Sequence, residues 1–278
     1  MRMILVGDVR EKLRELADGS VHCVVTSPPY WGLRDYGADG QIGLESTPDE
    51  YVASMVAVFR EVWRVLRDDG TLWLNLGDSY ASFRDGKATP DTTRGDSNGT
   101  LVPKGMATNR MASTFAATTI KHKDLVGIPW RVAFALQADG WYLRQDIIWA
   151  KPNPMPESVT DRCTKSHEYI FLLSKSAKYY YDNEAIKERT VTRDDTNRDR
   201  DSTRLNNTPG RTRMAGLKTN DYEMRNKRDV WTVPTRSYKG AHFATFPPDL
   251  ITPCILAGCP PDGIVLDPFF GAGTEKRI

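Results

Sequence analysis

The stretch Thr26-Ser27-Pro28-Pro29-Tyr30-Trp31 carries residues that could hold a flat ring bearing an amino group. It follows the apolar run 21–25, which predicts a buried strand. Each proline fixes φ and lacks an N–H, and the residue before a proline is held extended, so this backbone offers carbonyl oxygens without neighbouring donors. A serine hydroxyl and two exposed aromatic faces beside them favour binding an amino group and stacking on its ring. A proline turn with both aromatics packed in the core has the same pattern, so this stretch alone leaves both interpretations open.

A second stretch, near the other end of the chain, indicates a nucleotide-type cofactor site. Residues 263–267 predict a strand that ends in Asp267, and Pro-Phe-Phe-Gly-Ala-Gly-Thr follows at 268–274. The glycines let the backbone approach a ligand, and the helix start expected after them offers free N–H groups. A phosphate-binding loop is excluded because no Gly-Lys-Ser/Thr follows, and a dinucleotide fingerprint because the third glycine is absent.

The first two predicted strands are expected to position the proline stretch. Residues 3–6 predict a strand that ends at Gly7-Asp8, and Asp8 can cap a helix with Val9, Leu13 and Leu16 on one face. Together with the strand at 21–25 this makes a βαβ unit, which predicts a parallel sheet. Ligands of such sheets bind beyond the carboxyl ends of the strands, where both Asp8 and Ser27 are expected.

Further elements follow at regular spacing. A capping box with proline at the first helical position begins a helix at Thr47. The remaining patterns predict strands at 71–76, 141–149 and 167–173 and helices at 124–136 and 250–257. Asn75 and Asp78, at the end of one strand, suit either strand-end capping or a ligand contact.

Composition bounds the class of protein. The 278 residues carry a net charge of only +2, so a nucleic-acid interface must be local. The four cysteines show no C-x-x-C pair and no metal spacing, and no signal peptide or membrane-spanning run is present, so a cytoplasmic, metal-free protein is expected. Residues 81–120 predict a long functional or disordered loop. The arginine-rich segment 187–229 suits either a solvated insertion or a segment that lies on phosphates.

Together, the two stretches resemble the β class of S-adenosylmethionine-dependent DNA amino-methyltransferases, in which the catalytic motif precedes the cofactor motif. Residues 72–78, 146–153, 167–171 and 246–248 also match. The resemblance implies an α/β fold with a Rossmann-like methyltransferase sheet, circularly permuted, with an inserted target-recognition segment and a missing C-terminal part. It divides the chain into a catalytic part at 1–186, a target-recognition insertion at 187–229 and a cofactor-binding part at 230–278.

The resemblance also implies roles for individual residues. Ser27 and the Pro28 carbonyl would accept hydrogen bonds from the amino group of a flipped base, with Pro29 shaping the loop and Tyr30 stacking on the base. The residues expected around S-adenosyl-L-methionine are Asp8, Phe246, Pro247, Asp267, Pro268, Phe269, Phe270, Gly271, Gly273 and Thr274. Those expected to contact double-stranded DNA are Trp31, Arg193, Arg198, Arg200, Arg204, Arg211 and Arg213.

Serine before Pro-Pro-Tyr resembles the cytosine-N4 members, with the adenine-N6 members as the alternative. In this family the chain continues past Gly-x-Gly-Thr to a strand that ends in a ribose-binding acid, whereas here Ile278 is the last residue. Two hypotheses are therefore kept. The first is an active enzyme, completed by a second chain or by self-association and paired with a cognate restriction enzyme. The second is an inactive truncated or split fragment that retains DNA binding.

Overall fold

The computed structural model describes residues 3–33, 37, 40–81, 120–190, 224–235 and 246–270. Most of the expected loop 81–120 and of the segment 187–229 lies outside these residues. So do Gly271, Gly273, Thr274 and the six arginines expected to contact DNA.

The described residues form four α-helices, which we label α1 (Val9–Lys12), α2 (Pro48–Val65), α3 (Ile128–Ala138) and α4 (Pro248–Gly258). A 3₁₀ turn, Leu13–Glu15, continues α1. The predicted capping box of α2 is confirmed, because the Thr47 hydroxyl accepts from the Glu50 N–H and the Glu50 carboxylate accepts from the Thr47 N–H. The third helix begins at Ile128 rather than at residue 124, because Gly127 has a φ of 79° and interrupts helical geometry.

The described strands form one six-stranded sheet in the order β7-β3-β4-β2-β1-β8 and a separate pair, β5-β6. Five strands of the large sheet run in the same direction, and β4 is antiparallel to both of its neighbours. The α/β prediction is confirmed. The strands are β1 (Val21–Thr26), β2 (Leu66–Leu76), β3 (Tyr142–Ala150), β4 (His167–Ser174), β5 (Glu188–Arg189), β6 (Met224–Arg225), β7 (Val230–Thr232) and β8 (Val265–Leu266).

The prediction of a first strand at residues 3–6 is wrong. These four residues form no strand, and their side chains are exposed. Neither edge of β1 is open to them, because β2 pairs along one edge and β8 along the other. The parallel neighbour of β1 on that side therefore comes from the opposite end of the chain, as the circularly permuted order implies.

Helices cover the sheet on both faces. The helices α2 and α3 pack over one face, against a buried cluster that includes Leu72, Leu74 and Phe171. The side chains of Val25, Trp73 and other alternate residues point to the opposite face, where they form a second cluster with α4. None of the helices in the described part of the chain is both long and apolar enough to cross a membrane.

Candidate active site

The two stretches singled out in the sequence leave the sheet side by side. Strand β1 pairs in parallel with β8, with Cys23 opposite Val265 and Val24 opposite Leu266. At the carboxyl ends of these strands the Thr26 hydroxyl donates a hydrogen bond of 2.5 Å to Asp267 Oδ1. The Phe269 N–H donates to the same oxygen, at 2.9 Å. One carboxylate therefore ties the start of the proline stretch to the start of the glycine-rich stretch.

The proline corner is held from beneath by α2. The Tyr51 hydroxyl, on a fully buried side chain, donates to the Pro29 carbonyl oxygen at 2.9 Å. The expectation that neither proline carbonyl has a donor is thus wrong for Pro29, because α2 places a phenol beneath it. No described residue donates to the carbonyl oxygen of Pro28, which remains the candidate acceptor.

Tyr30 anchors the other end of this corner. Its hydroxyl lies 2.8 Å from Glu168 Oε2, 3.2 Å from Asn75 Oδ1 and 3.4 Å from the Ser27 hydroxyl oxygen. One edge of its ring packs on Gly77, where an added Cβ would lie 2.5 Å from the ring. Burial first, and then the charge of Glu168, raises the pKa of Tyr30 well above its ordinary value, so the hydroxyl stays protonated.

Glu168, to which the sequence-based predictions give no role, lies at the centre of a polar cluster. Its carboxylate accepts from the Lys151 ammonium, and the two side chains are only 15% and 17% exposed. The Asn75 amide donates to Glu168 Oε2 at 3.3 Å and to the Tyr169 carbonyl at 3.0 Å. Burial lowers the pKa of nearby Lys165, and the negative charge of Glu168 is among those that oppose this shift. The sequence feature that could have indicated this cluster is the position of its residues at the ends of β2, β3 and β4, which meet at one edge of the sheet.

Asp78 has a structural role at the same edge. Its Oδ1 accepts from the N–H groups of Ser79, Gly127 and Ile128, at 2.9 to 3.1 Å. Of the two interpretations of this aspartate, the structure favours capping, because the carboxylate satisfies N–H groups at the start of α3.

Trp31 does not present the exposed face that the sequence suggested. Its side chain is 3% exposed and packs in the cluster beneath α2 and α3. Its indole N–H donates to the Glu45 carbonyl at 3.0 Å. The prediction that Trp31 contacts DNA is therefore wrong, because its ring is buried in the hydrophobic core.

Asp8 does not lie at the end of a strand. It caps α1 by accepting from the Arg10 N–H at 2.8 Å, and its carboxylate also binds the Arg10 guanidinium. The hydrogen bond from the guanidinium lowers the pKa of Asp8, although burial acts against it. The proposed cofactor contact of Asp8 loses its structural basis, because residues 3–6 do not join the sheet.

The remaining candidate cofactor residues that the structure describes fall into two groups. Asp267, Pro268, Phe269 and Phe270 follow β8, and Phe269 packs against the cluster beneath α2 and α3. Phe246 packs against the cluster beneath α4, and Pro247 precedes that helix directly. Phe246 and Phe269 thus lie on opposite faces of the sheet.

The arginine-rich segment begins and ends at one place. Its first residues form β5 and its last residues form β6, and these two strands pair in antiparallel fashion. The carboxylate of Glu188 binds the guanidinium groups of Arg225 and Arg228, at 2.8 and 2.6 Å. The intervening residues therefore leave and re-enter the described body at neighbouring points.

Comparison with known proteins places this site in a family. The sequence profile of a DNA methylase family of N6/N4 methyltransferases matches residues 21–275. The chain is 50% identical over 268 residues to the type II methyltransferase M.Cfr9I of Citrobacter freundii, covering 96% of this chain and 76% of that protein. It is also 50% identical over 277 residues to the type II methyltransferase M.SmaI of Serratia marcescens, covering 99% and 81%.

Solved structures share the fold. The PvuII DNA methyltransferase, described as cytosine-N4-specific, matches with a TM-score of 0.55 and 17% identity, covering 94% of this chain and 72% of that one. A DNA modification methylase from Thermus thermophilus, solved in complex with S-adenosyl-L-methionine, matches with a TM-score of 0.50 and 21% identity, covering 97% and 80%. The shared fold confirms the prediction of a Rossmann-like methyltransferase sheet. By the family profile and by its type II relatives, this chain belongs to the N6/N4 DNA methylase family.

Proposed function

We propose that this chain is a site-specific enzyme that transfers a methyl group from S-adenosyl-L-methionine to N4 of cytosine in double-stranded DNA. The observation that carries the proposal is the hydrogen bond between Thr26 and Asp267, because it joins the amino-binding stretch to the cofactor stretch at one sheet edge. A methyl donor and an amino acceptor must lie next to each other for direct transfer.

The described residues fit the cofactor of this family. S-adenosyl-L-methionine supplies an electrophilic methyl group on a sulfonium when it is bound. Asp267 and Phe269, which share a hydrogen bond at the end of β8, would hold it together with Pro268, Phe270, Gly271, Gly273 and Thr274. Phe246 and Pro247 would border its methionine part, as the family resemblance implies.

The proline stretch would bind the target base. The Ser27 hydroxyl oxygen and the Pro28 carbonyl oxygen would accept hydrogen bonds from the exocyclic amino group, which leaves the nitrogen lone pair directed at the methyl group. The Tyr30 ring would stack on the base, and flipping would bring the amino group out of its Watson–Crick pair. Serine before Pro-Pro-Tyr supports cytosine N4, and adenine N6 is the second candidate.

The segment between β5 and β6 would recognise the target sequence. Its arginines at 193, 198, 200, 204, 211 and 213 suit phosphate and base contacts. The pairing of β5 with β6 supports a separate insertion, because it brings the two ends of the segment together. We also propose a cytoplasmic enzyme that acts beside a cognate restriction enzyme.

Product analysis tests this proposal. The purified chain is incubated with duplex DNA and S-adenosyl-L-methionine, the DNA is digested to nucleosides, and N4-methylcytosine is expected. N6-methyladenine as the sole product would overturn the choice of base. DNA binding without any methylated nucleoside would contradict the proposed transfer activity.

A serine variant tests the assigned loop. Ser27→Ala removes the proposed acceptor, so we expect transfer to be lost while the affinity for S-adenosyl-L-methionine stays unchanged. Ser54→Ala, on α2 and away from the sheet edge, is the matched control and should keep wild-type activity. Loss of cofactor binding in the Ser27 variant would show that this loop is misassigned.

A further inference from the structure

Four polar side chains form a continuous chain at the sheet edge, and the proposed function gives a role only to Ser27 and to the ring of Tyr30. Ser27 contacts Tyr30, Tyr30 contacts Glu168, and Glu168 contacts Lys151. The four residues come from the end of β1, the end of β3 and the start of β4. Because Tyr30 lies between Ser27 and Glu168, the hydrogen bond that Tyr30 makes to the carboxylate also determines which hydrogen bond Tyr30 makes to Ser27.

The hydrogens in this chain can be placed by counting them. The Tyr30 hydroxyl has one hydrogen and two acceptors within reach, Glu168 Oε2 at 2.8 Å and Asn75 Oδ1 at 3.2 Å. The carboxylate is the stronger acceptor and the closer one, so it takes the hydrogen. The Tyr30 oxygen can then only accept from Ser27, whose hydroxyl oxygen lies 3.4 Å away.

We infer that Glu168 is a positioning residue that determines in which direction the Ser27 hydroxyl hydrogen points. With its hydrogen directed at Tyr30, the Ser27 oxygen keeps both lone pairs for another donor. That donor is the amino group of the target base, so this inference rests on the proposed function. Without the carboxylate, the Tyr30 hydrogen would turn to Asn75 Oδ1 or to Ser27, and in the second orientation it would compete with the amino group for the Ser27 oxygen.

Lys151 determines which atom of residue 168 faces the Tyr30 hydroxyl. Its ammonium binds Glu168 Oε1 and lies 4.2 Å from the centre of the Trp149 ring. The ion pair fixes one carboxylate oxygen on Lys151 and leaves the other for Tyr30, in a site that is only 15% exposed. In a Glu168→Gln variant Lys151 would retain the amide oxygen, which turns the amide N–H₂ toward Tyr30. The glutamine would then donate to Tyr30 instead of accepting from it.

The experiment measures the single-turnover rate of methyl transfer with saturating DNA and S-adenosyl-L-methionine. Glu168→Gln is expected to lower this rate by about 10- to 100-fold, the range typical for a misoriented reacting group, with both affinities unchanged. Tyr30→Phe removes the link and is expected to lower the rate by a similar factor. The double variant should be no slower than the slower of the two single variants, because both act through one contact.

Glu61→Gln is the matched control. Glu61 pairs with Arg64 on α2, and the two side chains are 25% and 30% exposed, so this variant also removes a half-buried ion pair. It should keep the wild-type rate, whereas a purely structural role for Glu168 predicts a lower melting temperature without a slower transfer step. A wild-type rate in Glu168→Gln, or losses that multiply in the double variant, would overturn the inference while the proposed function stands. A wild-type chain that transfers no methyl group would overturn both.

Discussion

At the scale of single residues, the proline corner depends on side chains that contact it from distant elements. Tyr51 reaches from α2 to the Pro29 carbonyl, and Tyr30 reaches from the loop to Glu168 on β4. Both hydroxyls are neutral donors, since burial raises the pKa of each tyrosine. The loop is therefore fixed at two neighbouring residues, Pro29 and Tyr30, close to Ser27.

A tyrosine variant tests the first of these anchors. Tyr51→Phe leaves the Pro29 carbonyl without its donor, so we expect a loss of about 1–3 kcal/mol in the free energy of unfolding. Transfer should also slow, because the corner that carries Ser27 loses its support. Urea unfolding and the single-turnover rate measure the two effects. Unchanged values for both would mean that the hydrogen bond contributes nothing to the corner.

The stabilities of the wild type and of Tyr51→Phe should also differ in their dependence on pH. Burial raises the pKa of Tyr51 above its ordinary value of 10.0, so the fold favours the protonated form. This contribution to stability is fully present below about pH 10 and is lost as the pH rises toward the folded-state pKa, because only the unfolded chain then ionises. The difference in free energy of unfolding between wild type and Tyr51→Phe should therefore narrow above pH 10. A difference that widens there would contradict this account.

At the scale of elements, two glycines set how closely the site and the core pack. A Cβ on Gly77, at the end of β2, would lie 2.5 Å from the Tyr30 ring. A Cβ on Gly258, at the end of α4, would lie 2.4 Å from both Thr71 Oγ1 and Trp73 Nε1. Both positions demand glycine for steric reasons, but only the first contacts the candidate site.

This difference predicts two distinct phenotypes. Gly77→Ala should displace Tyr30, so we expect a slower transfer step with little change in cofactor affinity. Gly258→Ala should force α4 away from β2, so we expect a loss of about 1–3 kcal/mol of stability from overpacking and near-normal transfer in the protein that remains folded. Melting temperatures and single-turnover rates separate the two. Equal melting temperatures together with equal rates would contradict the assignment of Gly77 to the site.

Elements were predictable where local pattern decides them. The capping box fixed the start of α2, and the apolar runs located β1 and β4 within a residue of their observed ends. Residues 3–6 have the same strand-like pattern but join no sheet, and both edges of β1 are paired with other strands. Local propensity does not determine which distant segments pair in a sheet. Local pattern also assigned Trp31 to the surface, whereas contacts with distant parts of the chain bury it in the core.

At the scale of the whole molecule, the candidate site joins segments that are far apart in sequence. Local pattern singled out the stretches around Ser27 and Asp267, because proline fixes the backbone of the first and glycine lets the backbone of the second approach a ligand. Glu168 and Lys151 were not assigned a role, because their function depends on strands β3 and β4 placing them beside Tyr30. The polar partners of a motif follow from the order of strands in a sheet, and a single sequence does not specify that order.

DNA binding depends on how charge is distributed over the whole molecule. With a net charge of only +2, the chain has no general attraction for phosphates, so binding must come from a local concentration of arginines. Replacing Arg193, Arg198 and Arg200 by glutamine should weaken DNA binding and flatten its dependence on salt, by about 0.9 in the log–log slope for each phosphate that is no longer neutralised. Arg14, Arg60 and Arg67, exposed on the catalytic body, form a control set with the same change in charge. If the affinity and slope fell equally in both triple variants, net charge alone would account for binding. A smaller slope in the first variant alone would assign the phosphate contacts to the segment between β5 and β6, because the slope reports how many phosphates the protein neutralises.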